Sequence, residues 1–102
     1  MDETIIFRRL DEGDMLAITQ VLLDGVARRF ETLGLHLLVP EDTRRLLAAL
    51  GYSERYGARP LRRVIQRHIV DPAAEMLLAG TLKAGDTVTA ACYEKEIRLF
   101  GS

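Results

Sequence analysis

The residues with the clearest chemical potential lie in the run 51–63, where Arg59 directly precedes Pro60. Proline suits the first position of a helix, because its missing N–H would have no partner there, and it favours an extended backbone in the residue before it. The free N–H groups at a helix start attract anions, phosphate above all, and a guanidinium offers a planar fork of donors that matches phosphate oxygens. The spacing therefore predicts that Arg59 lies in a loop at a helix start, where it could sense the phosphates of a nucleotide.

The neighbours of Arg59 are predicted to hold this loop in place. Gly57 favours a turn with a positive φ that aims Arg59. Tyr52 and Tyr56 are expected to pack the loop onto the core, although they could also line a nucleotide cleft. The residues expected to support the site are Tyr56, Gly57, Ala58 and Pro60.

Two other interpretations of the basic residues stay open. Arg59 could be a surface arginine paired with Glu54 or Asp71, since exposed ion pairs are common and weak. It could instead belong to a stripe that binds nucleic acid, formed with Arg55, Arg62, Arg63, Arg67 and His68. Such a stripe would lack an interleaved aromatic platform for stacking bases, and the net charge of −1 does not favour a polyanionic ligand.

The other polar side chains form no catalytic or metal-binding pattern in the sequence. His36 and His68 are the only histidines, and Cys92, the single cysteine, lies far from both in spacing, so no zinc motif is present. No serine lies in a nucleophile-elbow pattern. We expect Cys92 to be a buried, inert thiol, and we expect no catalytic residue and no metal site.

Length and composition bound the class of protein. The chain has 102 residues, 48% hydrophobic and 28% charged, which suits one globular domain over 1–102. A single cysteine fits a reducing cytosol, no apolar run approaches the ~18 residues of a membrane span, and residues 1–4 lack the layout of a signal peptide. No phosphate loop of the form G-x-x-x-x-G-K-[ST] is present, so the chain alone is not expected to bind and cleave ATP.

The elements that must position Arg59 are predicted from periodicity and from capping signals. Four helices are expected at about 14–33, 40–50, 60–70 and 71–80, the last opened by the pair Asp71-Pro72. The first should be capped by Asp11 or Asp14, and it carries an apolar stripe of Met15, Ile18, Leu22, Val26, Phe30 and Leu33.

Four strands are predicted at 4–9, 35–39, 87–93 and 96–100, the last two joined by a tight Glu94-Lys95 turn. The order of the elements indicates an α+β domain, in which about four helices pack on a small mixed sheet. Val88, Ala90 and Cys92 are expected to face the helices.

Longer motifs around Arg59 resemble a known family. G-Y-x-x-x-Y-G-A-R-P-L-R-R, followed by I-Q-R-x-I-x-D-P-A-A-E-x-L-L-x-G-x-L-K-x-G-D-T-V, is similar to the C-terminal small (lid) domain of Clp-type AAA+ ATPases such as ClpB, ClpC and ClpA, in their second ATPase module. The resemblance runs from Ile5 to about Val88. The sequence departs from the family at Pro40, where a polar helix cap is usual, and over residues 91–102.

This resemblance implies a lid excised from a larger, ATP-dependent unfoldase or chaperone, with the lid's own α+β fold. Arg59 stands where the family has its sensor-two arginine, which contacts the nucleotide phosphates. ATP or ADP with Mg²⁺ would bind in the parent, between this lid and an upstream large domain. Further implied partners are neighbouring subunits of a homo-hexameric ring, substrate proteins and a peptidase, with a cytoplasmic location and with neither nucleic acid nor membrane. The alternatives are a stand-alone protein-interaction module without a nucleotide role, or a nucleic-acid binder that uses its basic helix.

Overall fold

The computed structural model describes residues 11–101, and the strand predicted at 4–9 lies outside them. The chain folds as an α+β domain, as predicted, with a three-stranded mixed sheet in the described part. Its elements are α1 (Glu12–Thr32), β1 (His36–Leu38), α2 (Glu41–Leu50), α3 (Leu61–Ile65), a π-helical turn (Gln66–Val70), α4 (Asp71–Ala79), β2 (Thr87–Tyr93) and β3 (Glu96–Gly101).

Helix α1 begins at a reciprocal cap. The Asp11 carboxylate accepts a hydrogen bond from the N–H of Asp14 at 2.7 Å, and the Asp14 carboxylate accepts one from the N–H of Asp11 at 3.2 Å. Both predicted capping residues therefore take part. The helix ends as predicted before Gly34, whose φ of +79° favours glycine.

Three of the six residues predicted for the buried stripe of α1 are not fully buried: Ile18 and Leu22 are half-buried, and Leu33 is exposed. The buried residues of α1 are Met15, Thr19, Leu23, Val26 and Phe30. The expectation for Leu33 is wrong: this side chain is 53% exposed, because it lies at the C-cap, beyond the last helical turn. Thr19 is buried without cost to its hydroxyl, which donates to the carbonyl oxygen of Met15 at 2.7 Å.

Helix α2 joins the helices to the sheet. Its N-cap is Pro40, which offers no side-chain hydrogen bond, and Glu41 and Asp42 favour its first turn through the helix dipole. On its inner face, the buried hydroxyl of Thr43 donates to the carbonyl oxygen of Ala90 in β2 at 2.7 Å. On its outer face, a hydrogen bond to Glu41 raises the pKa of the exposed Arg45 guanidinium.

The fourth helix predicted at 71–80 is confirmed as α4 (Asp71–Ala79), which ends at Gly80, but the expectation that Asp71 caps its start is wrong. Ile65, Gln66, Val70 and Asp71 all have right-handed helical dihedrals, so α3, the π-helical turn and α4 form one continuous run. Asp71 does not cap a helix start: its N–H donates to the carbonyl oxygen of Gln66 five residues back, and its carboxylate accepts from Nε2 of Gln66 at 2.8 Å. The extra residue in this turn accommodates Pro72, which could not donate in a regular α-helix.

The sheet has the strand order β1-β2-β3, with β1 parallel to β2 and β2 antiparallel to β3. The predicted two-residue turn is confirmed at Glu94 and Lys95, which have φ of +48° and +65°. Two successive positive φ values are typical of the type I′ hairpin, whose twist matches that of the strands.

The core lies between the helices and one face of the sheet. Val88 and Ala90 are fully buried there, as predicted, together with Leu35, Leu47 and Ile69. The expectation that Cys92 is a buried thiol is wrong, because its side chain is only half-buried. In the described part of the chain, no helix combines the length and the apolar content needed to cross a bilayer.

Candidate functional site

The loop before Arg59 is closed on itself by backbone hydrogen bonds. The N–H of Ser53 donates to the carbonyl oxygen of Gly57 at 2.8 Å, and the N–H of Gly57 donates back to the carbonyl oxygen of Ser53 at 2.7 Å. Within this closure, Oγ of Ser53 accepts from the N–H groups of Arg55 at 3.2 Å and Tyr56 at 3.1 Å. Four hydrogen bonds thus hold five residues in one conformation.

Gly57 turns the chain toward Arg59. Its φ of +64° confirms the positive value expected from the sequence, and a residue with a side chain would adopt it only at a cost. After this turn, the N–H of Arg59 donates to the carbonyl oxygen of Tyr56 at 3.2 Å, and the N–H of Leu61 donates to that of Ala58 at 3.0 Å. The backbone at Arg59 therefore lies in a hydrogen-bonded turn.

The helix after Arg59 starts one residue later than predicted. Pro60 is the N-cap of α3, with φ of −69° and ψ of −11°, and its carbonyl oxygen accepts the N–H of Val64 at 3.0 Å. Leu61 is fully buried and lies against Gly51, at the other end of the loop. This contact fixes both ends of the loop to the core.

The side chain of Arg59 is exposed to solvent. Its guanidinium carbon lies 5.0 Å from the centre of the Tyr56 ring, and that of Arg55 lies 5.3 Å from the same ring. The interpretation of Arg59 as a partner of Glu54 or Asp71 is not supported, because within residues 11–101 no carboxylate forms an ion pair with Arg59.

The two tyrosines of the loop have different roles. Tyr52 packs against the hydrophobic core, as predicted. The same prediction is wrong for Tyr56, which is 48% exposed and contacts the two arginines instead. Both guanidinium groups lie within cation–π distance of the Tyr56 ring, whose face attracts a positive charge.

Arg62, Arg63 and Arg67 extend the basic surface along the helix, and all three side chains are exposed. The same helix also borders a groove that the sequence did not predict. An open groove of about 700 Å³ separates this helix from α1, and both Arg62 and Arg63 line it. The signal that could have indicated the groove is Gly25, a glycine in the middle of a long helix.

These features define a class of protein: a small α+β domain with an exposed arginine on a closed loop at the start of a helix. Residues 10–90 match the sequence model of a family described as the C-terminal, D2-small domain, of ClpB protein. The chain therefore belongs to this family of C-terminal small domains of Clp AAA+ ATPases, which confirms the resemblance seen in the sequence.

Curated proteins similar to this chain carry Clp names. The chloroplastic chaperone protein ClpD of Arabidopsis thaliana is 41% identical over 87 residues, which is 85% of this chain and 9% of the relative. The chaperone protein ClpB of Dichelobacter nodosus is 42% identical over 89 residues, 87% of this chain and 10% of the relative. A ClpA homolog of Pyropia yezoensis, named as the ATP-binding subunit of an ATP-dependent Clp protease, is 39% identical over 87 residues, 85% of this chain and 11% of the relative. The chain thus spans about a tenth of each of these relatives.

Proposed function

We propose that residues 1–102 form the single lid domain of a larger Clp-type ATPase, and that Arg59 is the sensor-two arginine of its nucleotide site. The observation that carries this proposal is the state of Arg59: its side chain is exposed on a closed loop, and no carboxylate in the described part of the chain neutralises it. An arginine held in this way is ready to bind an anion brought by another domain.

The donors of Arg59 suit the phosphates of ATP or ADP. A cation–π contact uses the charge of the guanidinium and leaves N–H donors available for oxygen acceptors. The bound nucleotide would supply the phosphate oxygens, and its hydrolysis would drive the parent. Residues 11–101 contain no group of metal-ligating side chains, and we assign the Mg²⁺ to the upstream large domain of the parent.

Arg59 would act as a switch through differential contact with phosphate. Charge-assisted hydrogen bonds contribute about 1.5–3 kcal/mol each. If Arg59 loses one such bond when the terminal phosphate is absent, the ratio of closed to open lid falls by about tenfold or more. Because the Arg59 loop is fixed to the core through Gly51 and Leu61, the whole lid would move with it.

The wider assembly follows from the same proposal. We propose that the lid contacts its own upstream large domain and a neighbouring subunit of a homo-hexameric ring, and that the parent unfolds substrate proteins, with or without a peptidase. The lid alone would not be catalytic. The cytoplasmic location stays a prediction, as relatives with both chloroplastic and bacterial sources are matched.

Substitution of Arg59 in the full-length parent tests the assignment. Arg59→Ala should lower nucleotide affinity or ATP turnover by about tenfold or more, because it removes the phosphate donors, and Arg59→Lys should restore only part of the loss. The matched control is Arg55→Ala, which removes another exposed arginine of the same loop that also contacts the Tyr56 side chain. Equal nucleotide affinity and turnover in the wild type and in Arg59→Ala, with the lid folded by circular dichroism, would refute the sensor assignment.

One observation favours a second candidate function, the binding of nucleic acid. The exposed Tyr56 ring lies beside Arg55 and Arg59, so the basic surface does carry one aromatic platform, contrary to the expectation from the sequence. Binding of single-stranded DNA that weakens steeply with salt and is lost in Tyr56→Ala would support this candidate. The groove beside α1 favours the third, a protein-interaction module.

A further inference from the structure

Tyr56 carries an aromatic ring that the packing of the domain does not explain. The ring is 48% exposed, and Tyr56 is absent from the residues that pack against the hydrophobic core, whereas Tyr52 is among them. In the described part of the chain, its hydroxyl group forms no hydrogen bond. Positive charge surrounds the ring instead, because the guanidinium carbons of Arg55 and Arg59 lie 5.3 Å and 5.0 Å from its centre.

The backbone fixes the Tyr56 ring next to Arg59. The N–H of Tyr56 donates to Oγ of Ser53 at 3.1 Å, and its carbonyl oxygen accepts the N–H of Arg59 at 3.2 Å. The ring therefore starts from a backbone position that is held on both sides, whereas a long exposed side chain such as that of Arg59 samples many rotamers unless a contact holds it. Within residues 11–101, the ring is the only group in polar or cation–π contact with the Arg59 guanidinium.

Contact with a ring orients a guanidinium without occupying its hydrogen-bond donors. The attraction acts between the positive charge and the face of the ring, whereas the N–H groups of the guanidinium point outward in its own plane. A phosphate group can therefore approach the edge of the Arg59 guanidinium while the ring stays at its face. A carboxylate partner would also hold the side chain, but it would compete with phosphate for the same donors.

We propose that Tyr56 is a positioning residue of the nucleotide site: its ring holds the Arg59 guanidinium ready for phosphate, and it does not contact the nucleotide itself. The functional part of this inference rests on the sensor role proposed for Arg59. A guanidinium that is held before the nucleotide arrives loses less conformational entropy when it binds. The effect is small, because a cation–π contact at an exposed site changes an equilibrium constant by about two- to fivefold.

Nuclear magnetic resonance of the 102-residue chain tests the contact without any nucleotide. Side-chain protons of Arg59 that lie over the Tyr56 ring should be shifted upfield by its ring current. Tyr56→Leu should remove this upfield shift, and Tyr56→Phe should keep it, since it removes the hydroxyl group and keeps the ring. Tyr56 is exposed, so both variants should fold, which unchanged amide shifts in α1 and β2 would verify. Arg59 protons at random-coil shifts in the wild type overturn the proposal.

The affinity of the full-length parent for a slowly hydrolysed ATP analogue tests the consequence for function. Tyr56→Leu should raise the dissociation constant by about two- to fivefold, and Tyr56→Phe should leave it unchanged. In the Arg59→Ala background, Tyr56→Leu should add no further loss, because a residue that acts only through Arg59 then has nothing to position. Equal losses in the two backgrounds would show that Tyr56 contacts the nucleotide itself, and would overturn the positioning role.

The outcomes separate this inference from the sensor assignment. If Arg59→Ala weakens binding of the analogue and Tyr56→Leu does not, the sensor assignment stands and the role of Tyr56 is overturned. If Arg59→Ala binds the analogue as tightly as the wild type, both are overturned.

The matched control is Arg55→Ala, which removes the other cation beside the ring and leaves Tyr56 and Arg59 in place. It should keep the upfield shift of the Arg59 protons and the wild-type affinity for the analogue. A loss of affinity equal to that of Tyr56→Leu would show that the positive charge of the loop, and not the ring, supports binding, and would overturn the proposal.

Discussion

A single methyl group at position 51 should disturb the loop that carries Arg59. Gly51 is buried, and a Cβ atom built on it would lie 2.5 Å from Cδ1, 2.8 Å from Cα and 2.8 Å from Cβ of Leu61. Its φ of −89° is allowed to every residue, so the expected effect of Gly51→Ala is steric and not conformational. Gly51 and Leu61 are the anchors on either side of the loop, and the collision would push them apart.

The size of the expected stability loss depends on which atoms the new methyl group would contact. Leu61 is fully buried, and two of the three closest atoms are its Cα and Cβ, which cannot move without the start of α3. Overpacking of a filled core costs about 1–3 kcal/mol, and a collision with backbone belongs in the upper half of that range. We therefore expect Gly51→Ala to lower the free energy of unfolding by about 2–3 kcal/mol. For a chain of this length, that loss lowers Tm by roughly 10–20 °C.

Thermal and urea unfolding followed by circular dichroism measure this loss, and Gly25→Ala is the matched control. The same methyl group at Gly25 meets nothing within 4 Å, inside a helix, and should raise the free energy of unfolding by about 0.5–1 kcal/mol. The two substitutions should thus have opposite signs. A Gly51→Ala chain as stable as the wild type would show that the Gly51–Leu61 contact yields, and that the loop is not fixed in the way described.

Two further substitutions test how the sheet is held. Thr43→Val should lower the free energy of unfolding by about 1–2 kcal/mol, because it leaves the buried carbonyl oxygen of Ala90 without its donor. The control Thr32→Val removes an exposed hydroxyl that donates a similar hydrogen bond, and it should change the stability little. Equal losses of stability in urea unfolding would contradict the role of burial. Replacement of Glu94-Lys95 by Asn-Gly should raise Tm by several degrees, since both positions have positive φ. A lower Tm would count against a type I′ turn.

The elements that the sequence predicted well are those with local signals. Acidic caps located the start of α1, and β-branched residues bounded by polar turns located the hairpin. Gly57 and its positive φ were predictable because glycine is the residue that a left-handed position favours. The Arg59 loop could be predicted for the same reason, since its conformation depends on hydrogen bonds between residues at most four apart.

The errors arose where distant or opposing effects decide the structure. Asp71-Pro72 is an ordinary start signal, but a π-helical turn absorbs the proline, and a side-chain bond from Gln66 occupies the aspartate. Tyr56 lies outward beside two arginines, a contact that spacing alone does not reveal. The groove between α1 and α3 exists only once these helices are packed, and Gly25, in the middle of α1, is the one signal for it that the sequence offers.

The uninterrupted helical run has a mechanical consequence. The nineteen residues from Leu61 to Ala79 form one helical segment, about 28 Å long if each residue adds 1.5 Å. Arg59 sits just before one end, and Leu78 projects near the other. A tilt of about 10° around the first end carries the far end through roughly 5 Å, given that length. A lever of this kind would turn a small displacement at Arg59 into one comparable to the width of a side chain at Leu78.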